Sequence, residues 1–109
     1  MTLPRREKIE ALLRDDPGDV FLRYSLALEL ESAGEWEACL EILEDLGRAT
    51  PAYVPALQMA GQFLAARGRT EEARAALREG IEAARNQAKI HAAGEMSELL
   101  MSLGSHGGE

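Results

Sequence analysis

Shifted against itself by 34 places, the chain lays its punctuation over itself. Pro17 falls on Pro51, Val20 on Val54, Leu30 on Leu64, Gly34 on Gly68, Glu37 on Glu71 and Leu43 on Leu77. The small residues Ala27 and Cys39 fall on the equally small Gly61 and Ala73. A fixed period of this size marks a repeat architecture, in which one supersecondary unit stacks on its copy.

Within the period the apolar spacing is helical. Ile9, Leu12 and Leu13 form an i, i+3, i+4 stripe that predicts an N-terminal half-repeat helix over 4–15, with Pro4 tolerated in its first turn. Asp15-Asp16-Pro17-Gly18-Asp19 turns the chain, and Asp19 is placed to cap a second helix from Val20 to Ala33. That cluster lacks the alternating ligands and distal Glu of an EF-hand loop. The second helix is apolar on more than one side, so it must be covered on more than one side. Gly34 closes it in the left-handed conformation. A third helix, Trp36 to Arg48, sets Trp36, Cys39, Leu40, Leu43 and Leu46 against Glu37, Glu41, Glu44 and Asp45. Thr50-Pro51 reads as the cap and opening of a fourth helix that runs to Arg67. Gly68 closes that helix, and Thr70-Glu71-Glu72 opens a fifth with a seam of Ala73, Ala76, Leu77, Ile81 and Ala84. The repeat register predicts a break near Asn86. Repeat one is thus 20–51, repeat two 54–85, a C-terminal capping helix 87–103, and 104–109 a flexible tail.

Small residues let antiparallel helices cross closely, glycine ends the first, and proline stops the second. With the units aligned, the sequence resembles the tetratricopeptide repeat family over about residues 17–85. The residues that carry the resemblance are Ala27, Gly34, Trp36, Cys39 and Pro51, then Gly61, Gly68 and Ala73. Arg23, Thr70 and Arg85 depart from it, standing where a large aromatic, a tyrosine and a second closing proline are usual. The resemblance implies an all-α fold, an α-α superhelix built as a right-handed stack of about six antiparallel helices.

It also implies a binding face. In that family, ligand contacts come from the second, fifth and ninth places of each first helix. Those places are Phe21, Tyr24 and Leu28, then Pro55, Gln58 and Gln62, and in the capping helix Lys89, Ala92 and Met96. Gln58 and Gln62, four apart, can hydrogen-bond an extended peptide, or they form a plain solvated edge. Phe21, Tyr24 and Leu28 read equally as core under the N-terminal helix, Leu28 most of all. The Lys, Arg and Asn clamp with which some members grip a terminal carboxylate is absent from these places.

The chain has 109 residues, a single cysteine and a formal net charge of −7. One cysteine excludes an internal disulfide framework and suits a reducing, cytoplasmic setting. The negative charge argues against nucleic acid, and no segment reads as a signal peptide or membrane span. Residues 1–50 hold 6 basic and 12 acidic side chains, and Glu29 to Asp45 contains seven acids and no base. That run reads either as a solvated helix face or as a patch selecting a basic partner.

No nucleophile has a base beside it, His91 and His106 are isolated, and Cys39 reads as a small core residue. The expectation is a non-enzymatic module without cofactor or metal, binding a peptide or helix of another protein. The alternative is a homo-oligomeric assembly module, a homodimer among its forms, that uses the exposed apolar surface of the C-terminal helix, with Ile90, Met96, Leu99, Leu100 and Met101.

Overall fold

The computed structural model describes residues 4–104, and among them six helices follow in order. They are α1 (Arg5–Asp15), α2 (Val20–Ser32), α3 (Trp36–Gly47), α4 (Val54–Ala66), α5 (Thr70–Asn86) and α6 (Ile90–Gly104). Each helix packs on the next in sequence, and α4 also touches α6 across the intervening layer. The result is an all-α superhelix, drawn out to 54 × 29 × 19 Å.

Local chemistry sets the helix ends. Asp19 Oδ1 accepts the Leu22 N–H at 2.9 Å and so satisfies one orphan donor of α2. Thr50 and Pro51 do not open α4. They lie in the loop before it, and the helix starts at Val54 with Pro55 in its first turn, where the missing N–H costs nothing. Gly34 and Gly68 take φ values of +81° and +79°. Past each of them an amide returns to the helix just ended, Glu35 N–H to the Leu30 carbonyl and Arg69 N–H to the Leu64 carbonyl, both at 2.9 Å.

The turn from α5 to α6 repeats this closure without a glycine. Lys89 N–H reaches the Ala84 carbonyl at 2.7 Å, and Ala88 takes the left-handed position at φ +60°. Gln87–Lys89 therefore form a turn, and the capping helix begins at Ile90 rather than at 87. It runs through Gly104, which is helical rather than part of a tail; the rest of that predicted tail, 105–109, lies outside the described residues. Alanine pays a Cβ penalty in this conformation that glycine does not. Ala88→Gly is expected to raise stability by about 0.5–1 kcal/mol, seen as a higher denaturation midpoint with unchanged slope.

Two clusters make the core. The first joins α2, α3, α4 and the start of α5 through Ala27, Leu30, Cys39, Leu40, Leu43, Leu46, Ala56, Ala60, Leu64 and Ala73. The second joins α4, α5 and α6 through Val54, Leu77, Ile81, Ala84, Ala93 and Met96. Ala27, Cys39 and Ala73 are fully buried. Gly61 is buried so tightly that an added Cβ would lie 2.7 Å from Leu77 Cγ. These positions let paired helices approach at backbone distance.

Candidate interaction face

A helix shows one face through residues three or four apart. On α2 that face is Phe21, Tyr24 and Leu28. Phe21 is 64% exposed, a large area of aromatic surface left to water, while Tyr24 and Leu28 are half-buried. Tyr24 leans edge-on against Tyr53, with ring centroids 5.6 Å apart. Burial holds its hydroxyl above the ordinary tyrosine pKa, and the neighbouring Tyr53 and Cys39 act in the same direction. At neutral pH the phenol is therefore an uncharged donor.

On α4 the matching places hold Pro55, Gln58 and Gln62. The two amides differ in state. Gln58 Nε2 donates to Glu95 Oε1 of α6 at 2.9 Å, and Glu95 Oε2 in turn lies 3.1 Å from His91 Nε2, an ion pair when the imidazole is protonated. Gln62 is exposed, and among the described residues it makes no hydrogen bond.

The third row does not fall where the period places it. Helix α4 starts 34 residues after α2, but α6 starts 36 after α4, because α5 is longer than α3, 17 residues against 12, and the tight turn at Ala88 makes up only part of the difference. Lys89 is exposed in the turn before α6 and is not on the helix. Met96 is core, and Ala92 is half-buried against the second cluster. The α6 side chain that meets the α4 face is Glu95, at Gln58, with His91 behind it.

Some interactions have no counterpart in the repeat pattern. Trp36, half-buried, packs near Phe63 with ring centroids 6.3 Å apart. The Arg67 guanidinium covers both rings, at 5.1 Å and 4.7 Å, and Arg69 lies 5.1 Å from the Trp36 centroid. The two arginines flank Gly68, so basic residues on either side of a closing glycine are the sequence signal for this cluster. Pro51 is exposed in the α3–α4 loop. Cys39 is inert by environment, since burial pushes its thiol up to about 11. Among the described residues, no three His, Cys, Asp or Glu side chains are arranged to hold a metal ion. None of the helices described is long and apolar enough to cross a membrane.

Comparison with known proteins agrees with this architecture. The sequence profile of the tetratricopeptide repeat matches residues 30–96. The chain belongs to the tetratricopeptide repeat family. Among solved structures, it resembles the tetratricopeptide repeat domain protein of Salinibacter ruber, with a TM-score of 0.77 and 27% identity over 84% of this chain and 92% of that one. A protein of Bordetella parapertussis shares the fold at a TM-score of 0.77 and 24% identity, over 95% and 90% of the two chains. No curated protein matches the chain. Tetratricopeptide repeats are protein–protein interaction modules and, as a family, non-enzymatic scaffolds.

Proposed function

We propose that this tetratricopeptide repeat chain is a small adaptor. It holds a peptide or helix of a partner protein across the first helices of its repeats. The apolar end of the face, Phe21, Tyr24 and Leu28, would anchor one or two large side chains. The amide end, with Gln62 free and Gln58 tied to Glu95, would take backbone or polar groups. The observation that carries this reading is Phe21, an aromatic ring 64% exposed beside two half-buried apolar neighbours. An exposed aromatic ring continuous with apolar neighbours makes a patch rather than a scattered residue, and such patches mark interaction surfaces. A cytoplasmic setting fits the unprotected thiol of Cys39.

The test is affinity capture from host lysate with the wild type and the Phe21→Ala, Gln62→Ala pair. Both substitutions are on exposed side chains, so the melting curve should be unchanged while a retained partner is lost. An identical retained set for both proteins would reject the face.

Self-association through α6 is a second reading with its own observation. Ile90 and Met101 are 71% and 73% exposed, and they stand three helical turns apart on one side of α6. Sedimentation should then give a dimer that Met101→Glu converts to a monomer. A wild-type monomer at every concentration would end this reading.

A further inference from the structure

Of the seven acids between Glu29 and Asp45, all but Glu31, which is exposed on α2, divide into two groups once the fold is formed. Glu29 pairs with Arg5 at 3.0 Å and Glu35 with Arg6 at 2.6 Å, which closes α1 onto α2 and onto the turn that follows it. Asp45 is held by Arg48 at 2.5 Å and approached by Arg23 at 3.6 Å. Those three carboxylates have structural work. Glu37, Glu41 and Glu44 have no such close partner, although Glu44 and Glu37 act on Arg69 through space. Among the described residues they form no ion pair, and they rise up one side of α3 at i, i+4 and i+7. Like charges at that spacing repel and weaken a helix.

These carboxylates edge a cleft. Between α3 and α5 lies a groove of about 290 Å³, lined by Leu43, Leu57, Ala60 and Leu64 below and by Ala75 and Ala76 on the α5 side. The last two are alanines where longer side chains would close the gap. Its rim carries Glu44, Glu72, Glu79 and Arg48. A shallower hollow runs on from Glu44 past Glu41, Glu37 and Trp36 to Arg69. Both rim cations are already engaged on their own helices, Arg48 by Asp45 and Arg69 by both Glu72 oxygens at 2.6 Å and 2.7 Å. The unspent charge along the cleft is negative, beside an apolar floor of Leu43, Leu57, Ala60 and Leu64. Leu57, Ala60 and Leu64 lie on the other side of α4 from Gln58 and Gln62, so this surface is separate from the adaptor face.

We propose that the cleft between α3 and α5 is a second docking site, for a basic amphipathic helix of another protein. One apolar side chain of that helix enters the space above Ala75 and Ala76, and flanking lysines or arginines meet Glu37, Glu41, Glu44 and Glu79. Charge complementarity selects the occupant and sets its orientation.

The probe is a synthetic amphipathic helix of leucine and lysine, titrated by calorimetry beside its leucine–glutamate counterpart. The lysine peptide should bind, more weakly as salt is raised, and the glutamate peptide should not. Glu41→Lys with Glu44→Lys should weaken binding by about tenfold or more. Ala75→Phe, which fills the cleft and changes no charge, should do the same, while Phe21→Ala leaves the affinity as it was. All four positions are exposed, and melting curves verify the folded state. No binding of the lysine peptide overturns the proposal. So does loss on charge reversal with Ala75→Phe unaffected, which is unspecific attraction. Loss with Phe21→Ala overturns it also, by moving the peptide to the other face.

Discussion

Gly61→Val is expected to cost about 2–3 kcal/mol, a large share of the 5–15 kcal/mol that holds a typical domain folded. The cause is crowding and not backbone conformation. Gly61 is helical within α4, where any residue with a Cβ would otherwise gain in helix propensity. Yet the new Cβ would stand 2.7 Å from Leu77 Cγ. Leu77 is fully buried in the second cluster and has no free space to turn into. Removing the obstacle should therefore relieve the clash. Leu77→Ala alone opens a cavity costing about 2–5 kcal/mol, and the double variant should be more stable than the two losses predict by at least about 1 kcal/mol. Urea denaturation of the four proteins measures this, and strict additivity would show that α4 and α5 do not meet at this point. Gly34→Ala provides the contrast. Nothing lies within 4 Å of its added Cβ, and φ is +81°, so the loss is about 1 kcal/mol from conformation alone. No partner substitution should recover it.

The two glycines show what kind of information a sequence displays. Gly34 and Gly68 are legible because their requirement is local: a chain reversal needs a left-handed residue, and glycine is the usual one. The small seam residues Ala27, Cys39, Gly61 and Ala73 are legible because the period repeats them. The turn at Ala88 has the same backbone as the turns at Gly34 and Gly68, but alanine gives no sign of it. The register places a break near Asn86, but not the extra length of α5, 17 residues against 12 for α3, and that length is the reason α6 slips by two residues and Lys89 and Met96 leave the row expected for them. Long-range pairing is equally silent in the sequence. Gln58 meets Glu95 only because α4 and α6 become neighbours. The acidic run of α3 could be seen at once, but only the folded chain separates the carboxylates with internal partners from those without.

Arg74 is the buried cation that no sequence pattern signals, and its removal should cost about 2–3 kcal/mol. The residue is 7% exposed, and its guanidinium is satisfied at both ends. Nη1 bonds the Glu71 carboxylate, and Nη2 donates to the Leu103 carbonyl at 2.7 Å. Leu103 belongs to the last turn of α6, whose carbonyls have no amide of their own helix to accept from. Arg74 thus fastens the first turn of α5 to the last turn of α6. Arg74→Ala would remove a charge-assisted hydrogen bond and the packing of the aliphatic stem, and amide exchange should quicken at the end of α6. Glu71 is 83% exposed on its side chain, so its half of the contact is screened by water and contributes little. Glu71→Ala should shift stability by no more than about 0.5 kcal/mol. Equal losses from the two substitutions would mean that the ion pair, and not the carbonyl, is what holds α6. A large loss from Arg74→Ala alone, with exchange raised only in the last turn, would assign the stability of the open end of the stack to this one hydrogen bond.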